Sequence, residues 1–327
     1  MIVNNKLSCC EDDTHHDCNG ILVKDKFDRP IISLRVSLTN RCNFNCIYCH
    51  HDGMLPSKSE MSPDEIFQIL KIAKKFGIKK IRFSGGEPLL RDDIIDIIRK
   101  TSSLNFKDIS ITTNGVLLGK YAEDLLKAGL NRVNVSLDTL NHDTYNFITK
   151  GNYLNKVKSG ILSCVDLGIH PIKINMVIIK GVNNNEVMNM FDFCKSNGLI
   201  LQLIELMKAD NKQIYDKYHF NMNFFEEKFE KMANEVKIRH FMQDRKKYYI
   251  DNGEIEIVKP MDNTKFCQNC TRLRITSEGN IKPCLLKNDN LVNIIEPIRN
   301  KLSENEIEKI FLKGVNNREP YYNQYPL

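Results

Sequence analysis

Between residues 31 and 206 the chain alternates two hydrophobic patterns: short, β-branched apolar runs, and stretches whose apolar residues recur three and four positions apart. The first pattern is that of strands covered on both faces, the second that of helices with one buried face. Residues 31–38 (IISLRVSL) read as the opening strand. A helix start follows at Ser62-Pro63-Asp64-Glu65, with Ser62 as N-cap, Pro63 in the first turn and Glu65 closing a capping box. Ile66, Ile69, Leu70, Ala73 and Phe76 give this helix its apolar face, and Gly77 stops it. Further strands are predicted over 80–83, 109–113, 132–137, 171–178 and 200–206, with helices around 94–98, 121–128, 154–167 and 186–194 between them.

Six β/α steps result, and polar residues fall at or just beyond the C-terminal ends of their strands. These are Gly85-Gly86-Glu87-Pro88, Thr112 with Asn114, Ser136 with Asp138, Lys173 with Asn175, and Glu205. In a barrel such ends meet at one mouth, where chemistry is done. A doubly wound sheet would gather them chiefly at one crossover. The predicted fold is therefore α/β, an incomplete (β/α)6 TIM-like barrel over residues 27–209. Residues 1–26 are polar and aperiodic and read as a flexible N-terminal extension, although they carry Cys9, Cys10, His15, His16 and Cys18. After about residue 210 the pattern changes. Phe224, Phe225, Phe229 and Met232 form one helix face, residues 248–250 and 254–258 flank the turn Asp251-Asn252-Gly253, and a last helix falls around 304–312. Residues 210–327 are expected to form an extension capping the barrel mouth.

Composition removes some alternatives. With 42% hydrophobic and 27% charged residues, the 327-residue chain has an ordinary soluble composition and enough length for a large core. No apolar run approaches the length of a membrane span, so no membrane partner is expected. The first twenty residues lack an apolar signal core, which points to the cytoplasm. The net charge of +6 is spread through the chain without a dense basic, aromatic-rich patch. A nucleic-acid partner is therefore not expected, and a pocket for an anionic metabolite explains the balance.

The cysteines carry the chemistry. Cys164 and Cys194 sit in apolar helical stretches and read as small buried hydrophobes. Cys42, Cys46 and Cys49 form a C-x3-C-x2-C run in the loop after the first strand. Soft thiolates at this spacing fit zinc or an iron–sulfur cluster. His50 could complete a zinc tetrahedron, whereas a [4Fe–4S] cluster on three cysteines leaves one iron open to a small-molecule ligand. Cys267, Cys270 and Cys284 form a second set, C-x2-C-x13-C, open to the same two readings. Arg272 and Arg274 follow it two apart on a predicted strand and so point to one side, as a triphosphate clamp requires.

The first run, with Tyr48 between its last two cysteines, resembles the cluster loop of the radical S-adenosylmethionine (SAM) enzymes. The wider pattern resembles one family of that superfamily, the GTP 3′,8-cyclases that open molybdenum-cofactor (molybdopterin) biosynthesis. The resemblance covers nearly all of residues 27–320. It runs through Leu34-Arg35-Val36-Ser37-Leu38-Thr39-Asn40-Arg41-Cys42, Phe83-Ser84-Gly85-Gly86-Glu87-Pro88, Thr112-Thr113-Asn114-Gly115 and Asn134-Val135-Ser136-Leu137-Asp138. Its most specific part is Phe266-Cys267 through Cys270-Thr271-Arg272-Leu273-Arg274-Ile275-Thr276. The His50-His51-Asp52-Gly53 continuation looks like archaeal members.

The resemblance implies a [4Fe–4S] cluster on Cys42, Cys46 and Cys49 and a second on Cys267, Cys270 and Cys284, whose open iron takes the guanine base. It implies a SAM pocket of Tyr48, Gly85, Gly86, Glu87, Thr112, Asn114, Ser136 and Met207. GTP phosphates and ribose would be held by Arg35, Lys80, Arg82, Lys173, Arg272 and Arg274, with Arg35, Arg272 and Arg274 acting in catalysis. In the implied lyase reaction a 5′-deoxyadenosyl radical abstracts the ribose C3′ hydrogen of GTP and the C3′ radical attacks guanine C8. The product is (8S)-3′,8-cyclo-7,8-dihydroguanosine 5′-triphosphate. Implied partners are a low-potential donor (ferredoxin or flavodoxin), the downstream cyclic pyranopterin monophosphate synthase, and a second copy in a homodimer. A peptide-modifying radical SAM enzyme is the nearest alternative, but it has no use for Arg272 and Arg274; a zinc-bearing nucleic-acid binder leaves the barrel periodicity unexplained. Two departures stand out. Gln202 replaces an arginine common in the family, which would shift triphosphate charge towards Lys208, and the chain ends Tyr325-Pro326-Leu327 where bacterial members carry Gly-Gly.

Overall fold

The computed structural model describes residues 22–51, 59–208, 212–240, 243–261 and 264–320. Among them one sheet holds β1 (Ser33–Ser37), β2 (Lys80–Ser84), β3 (Asp108–Thr113), β4 (Arg132–Ser136), β5 (Ile172–Ile178) and β6 (Ile200–Glu205). The same sheet takes in β7 (Glu235–Arg239), β8 (Arg245–Ile250), β9 (Gly253–Val258), β10 (Arg272–Ile275), β11 (Asn280–Lys282) and β12 (Val292–Asn293). Its order is β12-β11-β10-β1-β2-β3-β4-β5-β6-β9-β8-β7, so β7 and β12 are edges and the barrel stays open. Helices α1 (Pro63–Lys75), α2 (Ile94–Ser103), α3 (Leu118–Lys127), α4 (His142–Thr149), α5 (Leu154–Asp166) and α6 (Val187–Ser196) make the crossovers between β1 and β6. The capping box predicted for α1 is present: the Ser62 hydroxyl accepts from the Glu65 amide and the Glu65 carboxylate from the Ser62 amide.

The six β/α steps are those the periodicity predicts, except that α4, ahead of α5 between β4 and β5, was not among the expected helices, and the C-terminal segment adds to both sides of them. β10 pairs parallel to β1 and β9 parallel to β6, giving an unbroken run of parallel pairing from β10 to β9. β9 arrives through a hairpin from β8, and β10 follows only the short helix Thr264–Gln268. Neither has a full crossover helix before it, so the β/α period gives no sign of them.

Along the central strands the pleat separates two kinds of residue. Leu34, Val36, Ile81, Phe83, Ile111, Val133, Val135, Ile174, Leu201, Leu203 and Ile255 are buried in the core shared with the helices. Each such side chain contributes on the order of 1.5–3 kcal/mol. The alternate positions carry Arg35, Ser37, Lys80, Arg82, Ser84, Ser110, Thr112, Asn134, Ser136, Lys173, Asn175, Gln202 and Glu256. Barrels of this type ordinarily fill their interior with branched apolar layers. Here the inner face is mainly polar, with Val177, Ile200, Ile204 and Val258 among its few apolar positions, and the core lies outside the sheet.

Of the flexible extension expected over 1–26, residues 22–26 are described, and they are anchored. Val23 is buried and its amide donates to the Phe76 carbonyl at 3.1 Å, while Asp25 is buried between Arg29 and Arg318 at 2.8 and 2.9 Å. Cys9, Cys10, His15, His16, Cys18, Asp52, Gly53 and Tyr325-Pro326-Leu327 lie outside the described residues. Cys164 and Cys194 are fully buried, as their apolar surroundings suggest. No described helix is long and apolar enough to cross a membrane.

Candidate functional site

Cys42, Cys46 and Cys49, all free thiols, lie in the loop leaving the C-terminal end of β1. That loop is held on several sides. The Gly86 and Glu87 amides donate to the carbonyls of Thr39 and Arg41 at 2.7 Å each. The Asn45 and Ile47 amides donate to Thr149 and Ile148 at the end of α4, and Phe44 meets Tyr145 edge-on at 6.1 Å. Tyr48 turns inward, its hydroxyl donating to Asp138 Oδ2 at 2.5 Å just past β4. Burial pushes the Cys46 thiol up, and neighbouring Asp138, Cys49 and Cys42 push it further. Such crowding of ionisable sulfurs is relieved by a cationic centre that binds them as thiolates. Among the described residues no group of three His, Cys, Asp or Glu side chains is arranged to hold one metal ion. The donor set, three soft thiols on one short loop, is that of an iron–sulfur cluster.

The loop after β2 fits against this one because it lacks side chains. A Cβ at Gly85, where φ is +147°, would stand 2.5 Å from the Thr39 carbonyl oxygen; one at Gly86 would stand 2.1 Å from that of Arg41. Glu87 is fully buried and its carboxylate is occupied internally. It accepts from the Thr113 hydroxyl (2.7 Å) and the Leu89 amide (3.0 Å) on Oε1, and from the Asn114 amide (2.7 Å) on Oε2. Burial raises it to about 7 against the pull of these donors. What this loop can offer a ligand is therefore its backbone. Asn114 ties the β3 loop to the first cysteine loop, its side-chain amide donating to Asn43 Oδ1 at 2.7 Å. Thr112 Oγ1 and Asn175 Oδ1 are buried in the lumen wall with no hydrogen-bond partner among the described residues. Ser136 and Met207 are half-buried at or just past the same strand ends. Asp138 and Asn43 are the positioning groups that the expected pocket omits; Asp138 had a signal, as a polar residue at a strand end.

Deeper in the lumen, strand register makes Arg274, Arg35, Arg82, Ser110 and Arg132 successive partners across β10, β1, β2, β3 and β4. Arg272 and Lys80 lie two residues earlier, both level with Ser33. Arg132 is engaged by Asp108, Nε to Oδ1 at 2.8 Å. Burial, then repulsion from Arg132, Arg35 and Arg245, holds Arg82 well below its usual value. Burial, then Arg245, Arg35 and Arg82, does the same to Arg272. Guanidinium groups crowded in a desolvated space call for an anion between them. Arg245, on β8, to which the sequence motifs do not point, adds to this repulsion and is itself drawn most strongly by Glu256.

Lys173 stands differently from the other cations expected on substrate. Its ammonium is ion-paired with Glu256 at 2.6 Å, and the same carboxylate accepts from Arg239 Nη1 and Gln202 Nε2 at 2.8 Å each. Burial would raise Glu256, but Lys173 and Arg239 overcome it and hold the carboxyl well below the usual carboxylate range. Gln202 thus serves Glu256, and Lys208, half-buried beyond β6, is not part of that cluster. Glu256 meets Lys173 from 83 positions away, which no local spacing reveals.

Cys267 and Cys270 precede β10, and Cys284 follows β11, which runs antiparallel to β10. Because β10 is parallel to β1, this loop lies at the N-terminal ends of the strands. A cap over the first mouth would bring both cysteine sets to one end; the register instead sets them at opposite ends, with the arginine row between. Arg29 Nη1 donates to the Cys267 carbonyl at 3.0 Å, Arg318 donates to that of Cys270, and both arginines bracket Asp25. Burial would raise the Cys270 thiol, but Arg318, Arg272 and Arg274 hold it below its ordinary value. That is the state a metal ligand needs.

The model of the radical SAM superfamily matches residues 36–194, and that of Molybdenum Cofactor Synthesis C matches residues 199–324. The chain is 53% identical over 305 residues to a probable GTP 3′,8-cyclase of Methanothermobacter thermautotrophicus, covering 92% of this chain and 99% of that protein. It is 48% identical to a probable GTP 3′,8-cyclase of Methanococcus aeolicus, covering 92% of this chain and 100% of that one. Among solved structures, Streptococcus suis SuiB bound to S-adenosylmethionine is similar with a TM-score of 0.66 at 19% identity, over 83% of this chain and 65% of SuiB. That likeness speaks to the fold.

Proposed function

The chain belongs to the GTP 3′,8-cyclase family of radical SAM enzymes, and from that premise we propose how its residues divide the work. The enzyme converts GTP to (8S)-3′,8-cyclo-7,8-dihydroguanosine 5′-triphosphate in molybdenum-cofactor biosynthesis. An iron–sulfur cluster on Cys42, Cys46 and Cys49 supplies the electron that cleaves SAM. Tyr48, Asn43, Asn114, Asp138 and Glu87 position that loop, and the backbone at Gly85 and Gly86, with Thr112, Ser136 and Met207, receives SAM. A second [4Fe–4S] cluster sits on Cys267, Cys270 and Cys284 and takes the guanine base. Arg35, Lys80, Arg82, Arg272 and Arg274 hold the triphosphate and ribose in the lumen.

The observation that carries this division is the row Arg274–Arg35–Arg82 between two cysteine loops at opposite ends of one polar lumen. A nucleotide lying along that row has its phosphates on guanidinium forks, its base towards Cys270 and its ribose towards the SAM end. Holding the ribose within about 1 Å of the attacking position matters, because a misplacement of that size costs roughly a hundredfold. Ferredoxin or flavodoxin as donor, the downstream synthase as recipient of the product, a homodimer and a cytoplasmic setting remain parts of the proposal. The test is anaerobic incubation of the reconstituted protein with SAM, a reductant and GTP, followed by mass analysis. Cyclised triphosphate formed with 5′-deoxyadenosine is expected; SAM cleavage that leaves GTP unchanged contradicts the reading.

A further inference from the structure

The lumen cations fall into two groups with different surroundings. On the β5–β6–β9 wall, Lys173 and Arg239 both close on the fully buried Glu256, and Gln202 adds an amide to the same carboxylate. On the opposite wall Arg35, Arg82 and Arg272 face one another; Arg245, from the C-terminal hairpin, adds to their repulsion, although its own strongest charged neighbour is Glu256, followed by Arg239 and Arg35. Arg245 is only 5% exposed. One terminal nitrogen donates to Gln243 Oε1 at 2.7 Å, the guanidinium lies over the Phe266 ring at 5.9 Å, and Nε is buried without a hydrogen-bond partner among the described residues. In register Arg245 faces Arg239 and shares a pleat face with Lys247, which faces Glu256; that is the lumen side of β8. A guanidinium fixed in plane by an aromatic ring, with an N–H left over, presents a fork suited to phosphate oxygens.

We propose that Arg245 is a further substrate-binding residue, joining Arg35, Arg82 and Arg272 on the phosphate chain, and that Glu256 withdraws Lys173 and Arg239 from that role. The assignment rests on GTP being the substrate. It also accounts for the neutral Gln202: charge absent from the β6 wall is supplied from β8, and the triphosphate lies towards β10, β1 and β2. Lys173 then acts on substrate only through Glu256.

Anaerobic equilibrium binding of GTP, inorganic tripolyphosphate and guanosine to the reconstituted protein tests this. Arg245→Gln should weaken GTP and tripolyphosphate at least tenfold and leave guanosine unchanged, with Arg245→Lys in between. Glu256→Gln, which frees Lys173 and Arg239, should tighten tripolyphosphate. Unchanged GTP and tripolyphosphate affinity in Arg245→Gln overturns the assignment, and so does an equal loss for guanosine, which marks a structural role. Absence of tightening in Glu256→Gln overturns the withdrawal of Lys173. If Arg245→Gln does not fold, Arg245→Lys decides: affinity equal to the parent's for both anions overturns the assignment. Arg245-dependent binding of tripolyphosphate without any preference for GTP over it would leave Arg245 an anion ligand and remove GTP as substrate. A parent protein that binds neither anion ends both.

Discussion

Asp138 accepts from the Tyr48 hydroxyl on one oxygen and from the Val177 amide at 2.8 Å on the other. Burial raises its carboxyl to about 6 against these donors. With the folded value above the unfolded one, its contribution to stability is complete below about pH 4 and is lost as pH rises through about 6. Asp138→Asn should flatten the fall in stability between about pH 4 and 6, while costing roughly 1–3 kcal/mol overall because an amide cannot accept from both donors. Denaturant midpoints across that range check this, and an unaltered slope contradicts it. Arg274, in register with Arg35, should cost at least about tenfold in GTP affinity when changed to Ala, with iron content unchanged. Equal affinity would remove it from the clamp. Residues of this kind were legible because their signals are local: three thiols in eight positions, two arginines at alternate positions. The pairing of Lys173 was not legible for the opposite reason, since its partner Glu256 comes from a distant strand.

At the scale of elements, the loop after β2 joins the first cysteine loop through two backbone hydrogen bonds that only glycine geometry permits. Gly86→Ala should therefore lower SAM binding more than tenfold while far-UV circular dichroism and GTP binding stay close to those of the parent. Retained SAM affinity would show that this close approach is dispensable. Helix starts with capping boxes at Ser62 and Ser303 could be read from the chain because both partners lie within one turn. The strands β9 and β10 announced themselves only as a hairpin arm and as an arginine pair. Their place beside β6 and β1 is fixed by pairing across the sheet.

On the scale of the whole molecule, the parallel pairing of β10 with β1 separates the two cysteine loops along the barrel. Spacing along the chain identified both loops but carried no information on which end each would occupy. With the sets apart, Cys46→Ala and Cys267→Ala should each lose about half of the roughly eight irons of a protein with two [4Fe–4S] clusters. Cys46→Ala should make no 5′-deoxyadenosine, and Cys267→Ala should still make some without cyclised product. Loss of all iron in either variant would mean that the sites assemble as one.

The most direct measurement uses GTP deuterated at ribose C3′, incubated anaerobically with the reconstituted enzyme, SAM and reductant. As proposed above, the nucleotide lies along the row Arg274–Arg35–Arg82, which strand register brings together, with its ribose towards the SAM end. Deuterium should therefore appear in 5′-deoxyadenosine in proportion to the cyclised triphosphate formed. Unlabelled 5′-deoxyadenosine, with all deuterium retained in the nucleotide, would contradict it.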